Sequence, residues 1–323
     1  MGGRRGLRRG KQPSRGERGV SQPLAGASGF HGSRSFALEW DSTAGGAEMK
    51  IDSHQHFWQY NSDEYGWMND SMYRVRRDFL PAHLKPEISA VGIDGVVAVQ
   101  ARQSLVETEW LLDLAAGSPF IKGVVGWVSL ISADLDRELE RISPDRRLKG
   151  VRHVLQDETD DNYILREDFN RGIKALEAFE LTYDILIFER HLPQALRFVD
   201  RHPRQIFILD HIAKPRIREG LLSPWKANLE ELSKREHVYC KISGMVTEAN
   251  WETWSEQNFE VYLEVVLEAF GPERLMFGSD WPLCSLACDY GTWFDLISRF
   301  IAPLSESEQA RILGGTAVEV YGL

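Results

Sequence analysis

The 323-residue sequence has few cysteines and no long apolar run. Its three cysteines are too few for a disulfide framework, and Cys284 and Cys288 lie four positions apart, which is not the spacing of a zinc ribbon. This cysteine usage favours a reducing compartment, so we expect a cytoplasmic protein. No run reaches the ~18 apolar residues that cross a bilayer, so we predict no membrane partner.

The first 48 residues lack the apolar periodicity of the rest of the chain. They hold eight of the 38 basic residues but only four of the 48 acidic ones, together with many glycines and serines. Such a segment cannot bury a core, which predicts a disordered extension at residues 1–48 and a single domain at residues 49–323. It has no apolar signal-peptide core.

The Arg-rich start of this segment leaves three interpretations open. It has some of the character of an organelle-transit peptide, and an Arg/Gly tail can bind nucleic acid weakly. The simpler interpretation, which we favour, is an upstream extension before a working protein that begins at Met49. The rest of the chain is more acidic than the net charge of −10 indicates. We therefore predict no nucleic-acid partner.

The first alternating stretch, KIDSHQHFWQY at residues 50–60, places His54 and His56 two positions apart. Side chains alternate along a strand, so both imidazoles are expected on one face, with Asp52 on the same face. Two imidazoles on one strand can hold one cation such as zinc. A pair of structural histidines at a strand end is the alternative, because a short motif alone does not decide between them.

From Met49 onward, apolar strand-like runs alternate with segments of helical spacing. The eight runs span residues 50–54, 95–101, 122–130, 148–155, 181–188, 205–212, 238–245 and 274–281. This alternation predicts a parallel sheet buried on both faces, and eight repeats match a closed (β/α)8 or TIM barrel of the α/β class. A doubly wound open sheet is the alternative, but no Gly-rich turn follows the first strand.

A (β/α)8 barrel places its active site at the carboxyl ends of its strands. Six predicted strand ends in this sequence carry polar or aromatic side chains. They are His54 and His56, Gln100 and Arg102, Trp127, Arg152 and His153, Asp210 and His211, and Ser279, Asp280 and Trp281. Each has an ordinary structural explanation alone, but their convergence on one mouth predicts a functional site.

Several motifs of the sequence resemble the amidohydrolase superfamily of the amidohydrolase-2 type. They are DSHQHFW (52–58), GVRH (150–153), LDHIAKP (209–215), KISGM (241–245), RLMFGSDWP (274–282) and ILGGTAVEVYGL (312–323). The resemblance covers residues 49–323 and is closest to the branch of sugar-lactone hydrolases of the L-fuconolactonase and L-rhamnonolactonase type. It implies a TIM-barrel hydrolase of carbohydrate metabolism, in fucose catabolism, that acts on an aldonolactone.

The resemblance also implies roles for matching residues. His54 and His56 match the paired metal ligands of strand one, His211 matches the strand-six histidine, and Asp280 matches the aspartate that orients and deprotonates water. Many members bridge two metals with a modified lysine on strand four, which is absent here. The resemblance therefore implies either one divalent ion, zinc first, held by His54, His56 and Asp280, or no ion.

Hydrolysis of a cyclic ester needs an activated water, a polarised carbonyl and a proton for the leaving alkoxide. Asp280 is the candidate general base, and Arg152 and His153 are candidate donors to the oxyanion when no metal is bound. Sugar contacts are expected from neighbouring groups, with packing as the alternative for each tryptophan. These candidates are Trp58, Gln100, Arg102, Trp127 and Trp281.

Two other functions compete with a lactonase. A metal-dependent decarboxylase of aromatic acids would use Arg102 and Arg152 to clamp a carboxylate, and a barrel with a decayed site would only bind a sugar. The SDWP and GVRH motifs favour the lactonase over the decarboxylase, and the four residues His54, His56, His211 and Asp280 together weigh against a decayed site. The sequence leaves the particular lactone, the metal and assembly into an oligomer open.

Overall fold

A computed structural model describes residues 49–323, which form a (β/α)8 barrel. Its parallel strands neighbour one another in chain order. They are β1 (Ile51–Gln55), β2 (Gly95–Val99), β3 (Ile121–Gly126), β4 (Leu148–Val154), β5 (Thr182–Leu186), β6 (Phe207–Leu209), β7 (Val238–Ile242) and β8 (Leu275–Phe277). The predicted barrel is confirmed, and the predicted disorder of residues 1–48 lies outside the described residues.

The barrel closes where the chain beyond β8 meets the end of β1. The backbone amide of Asp280 donates to the carbonyl of His54 at 2.8 Å, and the amide of His56 donates to the carbonyl of Trp281 at 2.7 Å. These bonds place the segment after β8 directly beside the two histidines at the carboxyl end of β1. The closure of the barrel therefore builds part of the candidate site.

Helices alternate with the strands and pack around them. They are α1 (Pro81–Ala90), α2 (Leu105–Gly117), α3 (Leu135–Ile142), α4 (Glu167–Leu176), α5 (Leu192–Val199), α6 (Trp225–Ser233), α7 (Gln257–Phe270), α8 (Tyr290–Ile301), α9 (Glu306–Ala310) and α10 (Thr316–Tyr321). A π-helical turn at Arg311–Gly315 joins α9 to α10. Among the helices of residues 49–323, none has the length and apolarity to cross a membrane.

Two apolar layers hold the barrel together. The larger fills the space between the sheet and the surrounding helices. The smaller fills the barrel interior with Ile51, Val97, Val99, Val125, Ile208 and Met276, and includes Ala317 and Tyr321 from α10. Since Lys149, near the start of β4, donates to the carbonyl of Gly322 at 2.6 Å, these last residues lie at the amino ends of the strands. The barrel floor is thus closed, and the site lies at the opposite end.

A register shift in β1 decides which of its side chains face the interior. Ile51 packs inside the barrel, so Asp52 points outward towards the helices. The pairing of β1 with β2 then shifts between Asp52 and Gln55. Because one extra residue reverses the alternation, His54 and His56 both face the interior.

The expectation that Asp52 shares the face of the histidines is therefore wrong. Its carboxylate is fully buried and accepts hydrogen bonds from the hydroxyl of Ser279 at 2.6 Å and from that of Tyr290 at 3.0 Å. Burial raises the pKa of Asp52 to about 6, although the bonds from Ser279 oppose this. Asp52 fastens β1 to the segment after β8.

Candidate active site

Three buried ligand-type side chains meet at the carboxyl ends of β1 and β8. The Nε2 atoms of His54 and His56 lie 3.2 Å apart, and Oδ1 of Asp280 lies 3.9 Å and 3.4 Å from them. The structure thus brings together the three residues that the sequence suggests as metal ligands. Their spacing is short enough for one ion to contact all three.

Hydrogen bonds at the far edges of the imidazoles set the direction of their lone pairs. Nδ1 of His56 lies 2.8 Å from the carbonyl oxygen of Val99, which can only accept, so this nitrogen carries a proton. Nδ1 of His54 lies 3.2 Å from Oδ1 of Asp210. Burial holds the pKa of His54 well below its usual value, although Asp210 opposes this, so its ring is neutral. Both Nε2 atoms can then present lone pairs to the same point.

Asp280 completes this group from a left-handed backbone conformation, with φ of 55°. Burial alone would raise the pKa of Asp280, but His211 and His56 outweigh it and hold this pKa below the usual value. Among the described residues, Oδ1 of Asp280 has no hydrogen-bond partner although it is buried. A buried oxygen beside two imidazole lone pairs is costly without a positive partner. The three residues therefore fit one divalent cation.

His211 approaches the same centre from the end of β6. Four consecutive residues, His211 to Lys214, have left-handed φ values between 47° and 62°, which turn the chain sharply away from the strand. Nδ1 of His211 lies 2.8 Å from the hydroxyl of Ser243. Burial lowers the pKa of His211 to about 4, although Asp280 and Asp210 oppose this, so the ring is neutral near pH 7.

A network of buried charges lies beneath the histidines. Nη1 of Arg152 lies 3.0 Å from Oδ2 of Asp210 and 3.3 Å from Nε2 of His54. Nζ of Lys241 lies 2.5 Å from Asp184 and 3.1 Å from Asp210. The two cations and two carboxylates balance in formal charge.

Lys241 and Asp184 are not predicted as site residues by the strand-end pattern, because both lie within apolar strand runs. The signal available was a charged residue in a run that otherwise predicts complete burial.

Gln100 belongs to this network rather than to the open surface. Its side-chain oxygen accepts from Nη2 of Arg152 at 3.2 Å, its backbone carbonyl accepts from the same nitrogen, and its amide donates to the carbonyl of Arg152 at 3.3 Å. Gln100 is fully buried. It therefore orients Arg152 from the end of β2, two strands away.

A cleft of about 700 Å³ opens above the centre. His56, Arg152, His211 and Asp280 lie on its surface, together with Arg102, whose guanidinium pairs with Glu64 at 2.7 Å. The remaining wall combines aromatic, charged and apolar side chains. It includes Trp67, Met72, Gln103, Phe188, Lys214, Glu248, Trp251, Leu283 and Leu286.

Six residues suggested by the sequence lie outside the cleft lining, namely His54 and Gln100, described above, and four more. Trp58 is fully buried and donates to the carbonyl of Arg77 at 2.8 Å. Trp281 is buried with its ring edge-on to Phe79. Trp127 donates to Nδ1 of His153 at 3.3 Å. His153 in turn pairs with Glu158 at 2.7 Å.

The two tryptophans that do line the cleft, Trp67 and Trp251, lie in loops well beyond the strand ends. The strand-end pattern does not predict them, because it includes only the residues at the strand tips. Aromatic residues in the loops after β1 and β7 were the available signal.

Two histidines at the carboxyl end of β1, one after β6 and an aspartate after β8, at the mouth of a (β/α)8 barrel, define a hydrolase-type site able to hold a metal ion. The family comparison agrees with this class. The family model described as amidohydrolase matches residues 51–323, and the chain belongs to this family.

Curated relatives cover most of the chain. An L-fucono-1,5-lactonase from Burkholderia multivorans is 42% identical over 288 residues, which cover 85% of this chain and 96% of that protein. An L-fucono-1,5-lactonase from Burkholderia ambifaria is 37% identical, with 84% and 95% covered.

Solved structures of other proteins are similar to this chain in fold. A crystal structure of an amidohydrolase from Burkholderia multivorans with bound zinc is 42% identical, with a TM-score of 0.82 over 85% of this chain and 99% of that one. The 5-carboxyvanillate decarboxylase from Sphingomonas paucimobilis is 17% identical, with a TM-score of 0.58, 86% of this chain and 100% of that chain covered. At this identity the second likeness concerns the fold alone.

Proposed function

We propose that this chain is a lactonase that opens an aldonolactone, of the L-fucono-1,5-lactone type, by attack of water on the cyclic ester. The observation that carries this proposal is the buried Asp280 carboxylate, whose Oδ1 has no hydrogen-bond partner among the described residues and which lies on the cleft surface. A lone carboxylate beside imidazoles can accept the proton of a water held in the cleft. The two L-fucono-1,5-lactonases that cover most of the chain support the choice of substrate.

The groups around Asp280 can serve the other steps of the reaction. The guanidinium of Arg152 is fixed by Asp210 and Gln100 and lies on the cleft surface, so its positive charge is already in place for a developing oxyanion. Once protonated, Asp280 can return the proton to the leaving alkoxide, which becomes a hydroxyl group. His211, which is neutral near pH 7, can hydrogen-bond to the water or the substrate.

We further propose that the site takes at most one divalent ion, zinc first, held by His54, His56 and Asp280. Members of the family bind divalent metals, and a related structure contains zinc. When bound, such an ion would polarise the carbonyl and acidify a water. A second group of ligand-type residues, His54, Asp210 and His211, is a poor second site because Arg152 and Lys241 already neutralise Asp210. The site without any ion stays the alternative.

The cleft wall supports a sugar-like substrate. The rings of Trp67 and Trp251 offer flat apolar surfaces for the C–H face of a sugar ring, and the pairs Arg102–Glu64 and Lys214–Glu248 offer partners for hydroxyls. Trp58 packs edge-on against Trp67, with 6.1 Å between ring centres. Its contribution is then to support the wall from behind.

The test is a panel of aldono-1,4- and aldono-1,5-lactones assayed with a pH indicator, with and without added zinc, on protein of measured metal content. We expect turnover of at least one lactone with no more than one metal per chain. Asp280→Asn keeps the shape but cannot accept a proton, so kcat should fall by about 10²–10⁴-fold. Turnover near the wild-type value in Asp280→Asn would remove this residue from the base role.

Other results of the same panel identify the competing functions. Release of carbon dioxide from aromatic acids without lactone opening would indicate a decarboxylase. Lactone binding without turnover would indicate a sugar-binding barrel. Two metals per chain would overturn the single-ion site.

We also propose a cytoplasmic site of action. All three cysteines, Cys240, Cys284 and Cys288, are free thiols, which suits a reducing compartment.

A further inference from the structure

Lys241 is a buried cation with no part in the chemistry proposed above. It lies on β7, its side chain is fully buried, and an unpaired ammonium there would be very costly. Its Nζ instead lies 2.5 Å from Asp184, 3.1 Å from Oδ1 of Asp210 and 3.2 Å from Nδ1 of His54. Lys241 therefore pairs with two carboxylates and reaches the imidazole of His54 through Asp210.

Lys241 acts on the site through Oδ1 of Asp210, an oxygen that it shares with His54. The same Oδ1 that faces Lys241 lies 3.2 Å from Nδ1 of His54, while Oδ2 is held by Arg152. A carboxylate fixed at both oxygens has little freedom to move. The Nδ1 proton that it accepts sets both the ring orientation of His54 and the direction of the Nε2 lone pair.

Lys241 is itself held from the barrel floor. The hydroxyl of Tyr321, on α10, donates to Oδ2 of Asp184 at 2.9 Å, and this is the oxygen that also contacts Lys241. The ring of Tyr321 lies beneath the ammonium, with 5.5 Å between Nζ and the ring centre. A continuous set of contacts thus runs from the last helix to His54.

We propose that Lys241 is a positioning residue of the catalytic centre, which fixes Asp210 and the Nδ1 edge of His54, with Asp184 and Tyr321 as its support. The kinetic part of this proposal rests on the proposed lactonase function. A purely structural ion pair would change stability and nothing else. The two roles therefore differ in kcat and in zinc affinity.

The variants must keep the buried charge balanced. Lys241→Met alone would leave two buried carboxylates facing one guanidinium, which destabilises the fold. The double variant K241M/D184N leaves Arg152 paired with Asp210 and keeps the formal charge of the network at zero. Y321F is a milder change that removes only the hydroxyl bound to Asp184.

Y262F provides the matched control. Tyr262 on α7 is equally buried, and its hydroxyl donates to the carbonyl of Leu221 at 3.2 Å, outside the network. This control reports the effect of losing a buried tyrosine hydroxyl on stability. It removes no contact to the candidate centre.

The measurements are melting temperature, kcat, KM and the zinc dissociation constant of the full chain. For K241M/D184N we expect kcat to fall and the zinc dissociation constant to rise by about 10–100-fold each, with KM within about twofold. Y321F should change both in the same direction by about threefold to tenfold. Y262F should lower the melting temperature while both values stay at the wild-type level.

The outcomes separate this proposal from the proposed function. If both network variants melt at lower temperature but keep wild-type kcat and zinc affinity, Lys241 is only structural. If the wild-type chain opens no lactone, the proposed function fails and zinc affinity alone decides the role of Lys241. If it turns over lactone but binds no zinc, kcat decides. A wild-type chain that does neither overturns both proposals.

Discussion

Two structural features restrict position 244 to glycine. Its φ is +62°, a region that favours glycine, and a Cβ added there would lie 2.6 Å from Cγ of His211. Gly244→Ala should therefore push the His211 ring away from the centre. We expect kcat to fall at least tenfold and the melting temperature to drop by several degrees.

Gly220 has the first of these two features but not the second, so it serves as a control for Gly244. Its φ is +65°, but an added Cβ would meet nothing within 4 Å. Gly220→Ala should cost only the backbone strain of about 1–2 kcal/mol and leave kcat unchanged. Equal kinetic losses in the two variants would show that the contact with His211 does not matter.

At the scale of single residues, the sequence predicts which residue types form the site better than it predicts the direction in which a side chain points. His54, His56, Arg152, His211 and Asp280 were all suggested by polarity at strand ends, and the structure places them together. The predicted direction of the Asp52 side chain was wrong because it depends on a register shift in the pairing of β1 with β2, which simple alternation along β1 does not predict.

At the scale of elements, the loop between β1 and α1 forms one wall of the cleft. It carries a 3-10 helix at Asp70–Val75, and Trp67 lies just before this helix with 38% of its surface exposed. Trp67→Ala should remove an aromatic surface for the sugar ring. We expect KM to rise about fivefold to twentyfold, equivalent to about 1–2 kcal/mol, with a smaller change in kcat.

Tyr73 is the control in the same loop. It is 67% exposed and is not among the residues that line the cleft. Tyr73→Ala should leave KM and kcat at the wild-type values. A rise in KM of equal size for both variants would mean that the loop as a whole, rather than the Trp67 ring, determines the effect.

The strands were easier to predict than their ends. Alternation of apolar runs and helical segments is enough to count eight strands, but β6 and β8 are only three residues long, whereas the apolar runs predict about eight. At β6 the chain leaves the sheet through the left-handed turn at His211–Lys214. A run of apolar residues indicates that a segment is buried, but it does not indicate where the backbone stops pairing with the neighbouring strands.

At the scale of the whole molecule, residues 49–323 contain both apolar layers and the candidate site. We therefore expect a protein beginning at Met49 to keep the melting temperature within about one degree, with unchanged kcat and KM, because the sequence of residues 1–48 has no apolar period with which to dock. Thermal melting and the lactone assay on both forms check this. A loss of several degrees on deletion would show that the first 48 residues pack on the barrel.

The register shift in β1 also limits how the length of this strand can change. Substitutions between Ile51 and Gln55 alter one side chain at a time. Inserting a single residue there would instead exchange the two faces beyond the insertion. The imidazoles would then turn towards the helices, and Gln55 would enter the barrel. Related proteins with the same centre should therefore differ in composition along this strand but show no single-residue insertions within it.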